Sequence, residues 1–109
     1  KGENTEVQAT GGMTKEMFEN LLNTDKIVLV DFYADWCAPC QKMKPYIDEI
    51  SSSMSQKVTV IRINADEHPA ICQQLAVDAL PTLKIFKNKA LVWNSVGLVE
   101  KEEVLKQLN

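Results

Sequence analysis

Cysteine and histidine are scarce in this chain, with three of the first and one of the second among 109 residues. An odd cysteine count argues against the disulfide framework of small secreted domains. A structural zinc site needs four ligands, and beyond Cys37 and Cys40 only Cys72 and His68 remain, in a separate segment. No metal site is expected. A membrane span needs roughly 20 consecutive apolar residues, and no stretch approaches that. Cationic excess is also missing: the net charge is −3, which argues against nucleic acid as a partner. There is no internal repeat and no low-complexity segment. The chain begins at Lys1 rather than Met, consistent with a processed precursor, an excised domain or a cloning remnant, and the compartment stays open.

What is present is enough for one core. A chain of 109 residues, 45% hydrophobic and 25% charged, reads as a single soluble globular domain that needs no disulfide to hold it together. Its densest chemistry lies where Ile27 to Tyr33, β-branched and aromatic without alternation, runs toward Cys37-Ala38-Pro39-Cys40. Such a run predicts a strand covered on both faces. Met43, Ile47 and Ile50 then recur at helical spacing. The cysteines therefore fall where a strand ends and a helix begins, and the unpaired amides of a first helical turn favour a thiolate there. Taken alone, the pair also fits a permanent disulfide or half of a zinc site.

Asp31 lies inside the apolar run, where burial disfavours an ionised carboxylate and raises its pKa. A strand end that turns it to solvent is the bland alternative. Cys72, beside Ile71 and Leu75, reads as a small core residue, with regulatory oxidation as the other reading. His68 precedes Pro69 and reads as a surface histidine, and Trp93 as packing.

The rest of the chain supplies an α/β order. Residues 1–5 are polar and expected to be mobile, with the folded domain covering 6–109. A short strand is expected over Glu6 to Thr10, then a turn at Gly11-Gly12. Thr14 caps a helix from Lys15 to about Leu22, with Met17, Phe18, Leu21 and Leu22 on its apolar face. After the central strand, a helix runs from Cys37 to about Met54, with a kink expected at Pro45. Lys57 to Asn64 is a second buried strand, joined to the first as a parallel pair. A short helix follows from His68-Pro69 to about Leu75. Thr82–Lys87 and Ala90–Val96 form a hairpin about Asn88-Lys89, and Lys101 to Leu108 a last helix with Val104, Leu105 and Leu108 inward. Gly97 ends the strand before it.

Trp36-Cys37-Ala38-Pro39-Cys40, with Asp31 six residues upstream of the first cysteine, Lys44-Pro45 after it and Leu80-Pro81-Thr82-Leu83 downstream, closely resembles the thioredoxin family over about residues 6 to 108. The resemblance implies a three-layer α/β/α thioredoxin fold, with a central mixed five-stranded sheet flanked by four helices. It implies a thiol-disulfide oxidoreductase in which Cys37 is the exposed nucleophile, Cys40 the buried resolving thiol and Asp31 the buried general base. It further implies a cis Leu80-Pro81 bond, and a substrate surface made by Trp36, Ala38, Pro39, Leu80, Pro81 and Gly97. No organic cofactor is implied. The partners are disulfide-containing proteins and an electron donor, either a thioredoxin reductase or a membrane donor, and the protein is expected to be a monomer.

Three departures from the family pattern stand out. Ala38 replaces the commoner Gly, which leaves the redox poise open. Arg62 stands where many members carry a Lys near the buried Asp, and Arg does not titrate usefully, so proton sharing with a lysine stays open. Lys89 replaces the usual Gly of the hairpin, where a different turn type is expected. A cytoplasmic location is favoured by the resemblance, with export as the alternative. An exported reductant for one dedicated partner, or a domain used mainly for binding, are the other functional readings.

Overall fold

The computed structural model describes residues 4–6, by backbone alone, and residues 12–109. The central element is β2, Ile27–Tyr33, and it has the bounds its apolar run predicts. β3, Val58–Asn64, pairs with it in parallel, and β4, Thr82–Lys87, pairs antiparallel on its other edge. β5, Ala90–Val96, closes the hairpin with β4, and among the described residues nothing pairs with its outer edge. These four strands of six or seven residues are the body of the sheet.

A three-residue strand, β1 (Asn4–Glu6), adds in parallel beyond β3, giving the order β1-β3-β2-β4-β5. The strand begins at Asn4, ahead of the expected Glu6, and the remainder of the expected strand, residues 7–10, lies outside the described residues. Asn4 and Thr5 are partnered with Val60 and Ile61. The free edge of β3 needs partners for its amides and carbonyls, and an extended segment of any composition supplies them. Residues 1–3 and 7–11, including Gly11 of the expected turn, lie outside the described residues.

Four helices cover the sheet. α1 (Lys15–Leu21) is capped by Thr14, whose hydroxyl accepts from the Met17 amide at 3.1 Å. α2 (Ala38–Ser53) runs unbroken through Pro45 and ends at Met54. α3 is Pro69–Gln74 and α4 is Lys101–Leu108. Strand alternation sends Val28, Val30 and Phe32 to one face, where they pack with Phe18 of α1 and Ile71 and Cys72 of α3. Leu29 faces the other way, toward Met43, Ile47 and Ile50 of α2 and Val104 and Leu108 of α4. β2 is thereby covered on both faces. Among the described residues no helix is long and apolar enough to cross a membrane.

His68 departs from expectation. It is fully buried, at the N-cap of α3, not on the surface. Gly12, held at φ +87°, folds the chain against it, and a Cβ there would lie 3.8 Å from the His68 Cα and 3.4 Å from the Glu67 carbonyl oxygen.

The hairpin also departs from regularity. Trp93 lies opposite Ile85 and Leu91 opposite Phe86, so Val92 is an extra residue that bulges from β5. At the turn, Asn88 and Lys89 both adopt positive φ, 52° and 70°, the pattern of a type I′ turn. Lys89 thus accepts a left-handed conformation that costs an L-residue about 1–2 kcal/mol, while glycine pays about 0.5–1 kcal/mol in chain entropy. Lys89→Gly should therefore raise stability by about 0.5 to about 1 kcal/mol, seen as a higher urea midpoint at unchanged slope. A lower midpoint would show that the Lys89 side chain contributes more than the turn strain removes.

Candidate active site

β2 ends at Tyr33, and the chain turns through Ala34, Asp35 and Trp36 into α2. The Cys37 amide donates back to the Ala34 carbonyl at 3.2 Å. Cys37 is the N-cap of α2, with extended backbone (φ −86°, ψ 105°), and the helix starts at Ala38 with Pro39 in its first turn. Proline is tolerated there because its missing N–H would have had no helical partner. Cys37 and Cys40 form a disulfide with Cα atoms 5.2 Å apart. The Cys40 amide donates to the Cys37 Sγ at 3.2 Å. That sulfur occupies the position a capping oxygen usually takes, at the positive end of a 16-residue helix.

The expected contrast in exposure between the two cysteines is not found. Cys37 and Cys40 are each 3% exposed, enclosed by Tyr33, Ala34 and Leu80. In this disulfide Cys37 is therefore not the exposed residue its place before the helix suggests. What does face solvent is the rim. Trp36 is 70% exposed, and Ala38 and Pro39 are exposed beside it.

On the opposite side of the sulfurs, the Leu80–Pro81 bond is cis, as the resemblance implied. The Thr82 hydroxyl donates to the Ala79 carbonyl at 2.7 Å, and the Gly97 amide donates to the Pro81 carbonyl at 2.8 Å. Gly97 has φ +97°, a conformation that favours glycine, and nothing lies within 4 Å of where its Cβ would be. It ends β5 and leaves an open approach. Trp36, Pro69, Cys72, Val77 and Leu80 border a groove of about 490 Å³.

Asp66 was not legible as part of this rim. Its carboxylate accepts from the Trp36 indole N–H at 2.8 Å, and its own amide donates to the Asn64 side chain at 2.9 Å. The one available signal was Asn64 at the end of β3, a residue whose side chain shapes a turn two positions on. The turn brings Asp66 to the indole across 30 residues of sequence.

Asp31 is buried, 3% exposed, on the sheet face that α2 covers. Burial pushes its carboxyl above the ordinary range. Arg62 opposes that shift through charge and hydrogen bond, and Asp48 adds to it. The Arg62 Nε lies 3.2 Å from the Asp31 Oδ2, in a pair whose side chains are 7% and 4% exposed. The guanidinium also stacks on the Tyr33 ring, 3.9 Å from its centroid. Tyr46 of α2 donates its hydroxyl to the Val99 carbonyl at 2.7 Å, tying the helix to the chain beyond Gly97.

This fold and this junction define a dithiol/disulfide oxidoreductase, with its reactive pair at a strand-to-helix turn and a cis proline across from it. Comparison with known proteins agrees. The sequence model of the Thioredoxin family matches residues 9–109. A thioredoxin of Rickettsia bellii is 39% identical over 95 residues, 87% of this chain and 90% of its own length. A thioredoxin of Alicyclobacillus acidocaldarius is 39% identical over 92% of this chain and 95% of its own length. Among solved structures, a variant thioredoxin of Halobacterium salinarum superposes with a TM-score of 0.83 at 28% identity, covering 97% of this chain and 88% of that one. The chain belongs to the thioredoxin family, and it is a thiol-disulfide oxidoreductase that reduces protein disulfides through the Cys37/Cys40 dithiol.

Two predictions follow the site's electrostatics. Because the Asp31 pKa is raised on folding, the group's contribution to stability is fully present below its unfolded value of about 3.9 and is lost as pH rises through its folded value. Asp31→Asn lacks that loss. The stability of the wild type relative to the variant should therefore fall as pH rises from about 4 and level off above the folded pKa, as read from denaturant melts across that range. A difference that grows with pH would mean that Arg62 outweighs burial. Cys72 is 7% exposed in the core beneath α1, with its thiol pushed up by burial. Cys72→Ala should keep near-full disulfide reductase activity and cost about 1 kcal/mol of stability; a large loss of activity in the folded variant would give this thiol a part in turnover.

Proposed function

We propose that Cys37 is the attacking thiolate, Cys40 the resolving thiol and Asp31 the base that receives the Cys40 proton. The observation that carries this reading is the N-cap position of Cys37, with the Cys40 amide directed at its sulfur at 3.2 Å. In the reduced protein a Cys37 thiolate in the same place gains that hydrogen bond and the positive end of α2, which stabilises it over the thiol. It attacks one sulfur of a substrate disulfide, forming the Cys37–substrate bond and releasing the other sulfur as thiolate. Cys40, deprotonated, then attacks Cys37. The Cys37–Cys40 bond forms and the substrate leaves as its second thiolate, having taken two electrons.

The substrate lies as an extended segment across the rim made by Trp36, Ala38, Pro39, Leu80, Pro81 and Gly97, with the Leu80 backbone pairing to it and the open side of Gly97 admitting its main chain. The two sulfurs carry the electrons, so the chemistry requires no organic cofactor and no metal. A separate donor, a thioredoxin-reductase type flavoenzyme or a membrane carrier, returns the dithiol to its reduced form, and the protein works as a monomer.

Cys40→Ser should accumulate stable mixed disulfides with protein substrates, whereas Cys37→Ser should accumulate none and should lose insulin reduction with dithiothreitol. Faster alkylation of Cys40 than of Cys37 in the reduced protein at neutral pH would reverse the assignment. A domain used only for binding would keep its partners after loss of both thiols.

A further inference from the structure

Val96 is the last residue of β5 to find a partner in β4, and the chain then leaves the sheet and crosses to α4 through Gly97, Leu98, Val99 and Glu100. The Gly97 amide donates to the Pro81 carbonyl at 2.8 Å. After that bond the connection has one polar hold. Among the described residues, the one hydrogen bond to the main chain of Leu98 and Val99 comes from the Tyr46 hydroxyl, which donates to the Val99 carbonyl at 2.7 Å across 53 residues of sequence. Leu98, between these two anchors, is 55% exposed. The segment beside the cis proline is thus fastened at either end and bare in the middle.

Tyr46 lies on α2, the helix whose first turn carries the reactive pair. One rigid element therefore places both the sulfurs and the wall beyond Gly97. The phenol suits that task. Its body packs, like Val99, against the apolar layer shared by α2 and α4. Burial, and then the charges of Asp31 and Glu100, hold its hydroxyl above the ordinary pKa, so it remains a donor through the neutral range. A second tie joins α2 to the start of α4, where Lys101 meets Glu49 at 2.9 Å with side chains 34% and 58% exposed. An exposed pair of this kind holds little. The hydroxyl of Tyr46 is the stronger hold.

We propose that Tyr46 is a positioning residue for polypeptide substrates, which keeps the main chain of Gly97 and Leu98 where an extended substrate segment lies against it. This rests on the reading that the substrate main chain passes the open side of Gly97. Without the hydroxyl, the segment hinges on a glycine free to change conformation, and no other hydrogen bond fixes it. It then spends part of its time displaced, and a polypeptide binds only the fraction in place, so the apparent affinity falls by that fraction. The exchange at the sulfurs is untouched, because Cys37 and Cys40 keep their places at the start of α2. A small disulfide has no main chain to lay along Gly97. Tyr46 therefore separates polypeptide disulfides from small ones.

The test compares steady-state reduction of insulin, with dithiothreitol as reductant, against the reaction of the reduced full chain with Ellman's reagent, a small disulfide. Tyr46→Phe keeps the ring and its packing. It should raise the KM for insulin about 2- to 10-fold, the equilibrium worth of one hydrogen bond, with kcat within about two-fold of wild type. Its rate with Ellman's reagent should match wild type. Glu49→Gln, which removes the exposed tie, should leave the insulin KM in place, and Gly97→Ala, which sets a methyl group on the open side, should raise it. If Gly97→Ala raises the insulin KM and Tyr46→Phe moves only the urea midpoint, the substrate reading stands and the role of Tyr46 is overturned. A rate lowered equally for insulin and for Ellman's reagent in Tyr46→Phe also overturns it, since the bond would then shape the sulfur site. A rise in Glu49→Gln as large as that in Tyr46→Phe would take the role from the hydroxyl. If Gly97→Ala leaves the insulin KM unchanged, the substrate does not pass Gly97, and the proposal falls with that reading.

Discussion

The reactive end of the molecule depends on β2 being paired on both edges and covered on both faces. Val28 to Phe32 find partners in β3 on one side and β4 on the other, and α1 with α3 and α2 with α4 enclose the two faces. A strand fixed from four directions has no freedom of register. A slip by one residue would turn Asp31 into the apolar layer of Phe18 and Ile71 and expel Val30 or Phe32 from it. The strand therefore delivers Tyr33, the Ala34 turn and the start of α2 to one place. The sulfurs inherit their position from that of an apolar strand several residues earlier.

Two electrostatic devices of different kinds meet there. The N-terminus of α2 supplies partial positive charge from backbone dipoles, directed at Cys37 and present in every protonation state. Asp31 with Arg62 supplies a titrating group and a fixed cation, buried under the same helix. Burying such a pair is weak evidence for stability, since desolvation offsets much of the attraction. Its retention in an otherwise apolar layer fits a role in the chemistry better than a role in holding the sheet together. Tyr33 makes the two devices neighbours, since it shares a buried cluster with Cys37 and Cys40 and its ring lies against the guanidinium.

How much of this was readable from the chain follows from the range of the forces involved. The bounds of β2, β4, β5 and α4 match the expected ones because apolar runs and their breakers are local signals. Asp31 was legible because a carboxylate in such a run has few physical alternatives. The family motif supplied the cis bond at Pro81, which composition alone does not reveal. Contacts between segments were out of reach. The stack of Arg62 on Tyr33 and the bond from Trp36 to Asp66 join residues about 30 apart, and neither pair has a spacing that marks it. His68 was misread because it is buried close to a segment far upstream, that of Gly12. Cys37 is buried in the disulfide, a bond that the linear sequence leaves open. β1 starts ahead of its expected range because a sheet edge recruits backbone rather than side-chain pattern.

The bulge at Val92 bears on how copies of this protein coexist in a crowded solution. β5 is an edge strand from Ala90 to Val96 with no charged residue and no proline, and Leu91, Val92 and Val96 are at least half exposed. Natural sheets usually guard such an edge with lysine or proline, because a flat row of open amides is a template for another chain. Here the extra residue does the guarding. By twisting the strand and interrupting its run of evenly spaced donors, the extra residue at Val92 blunts this edge as a template for another strand.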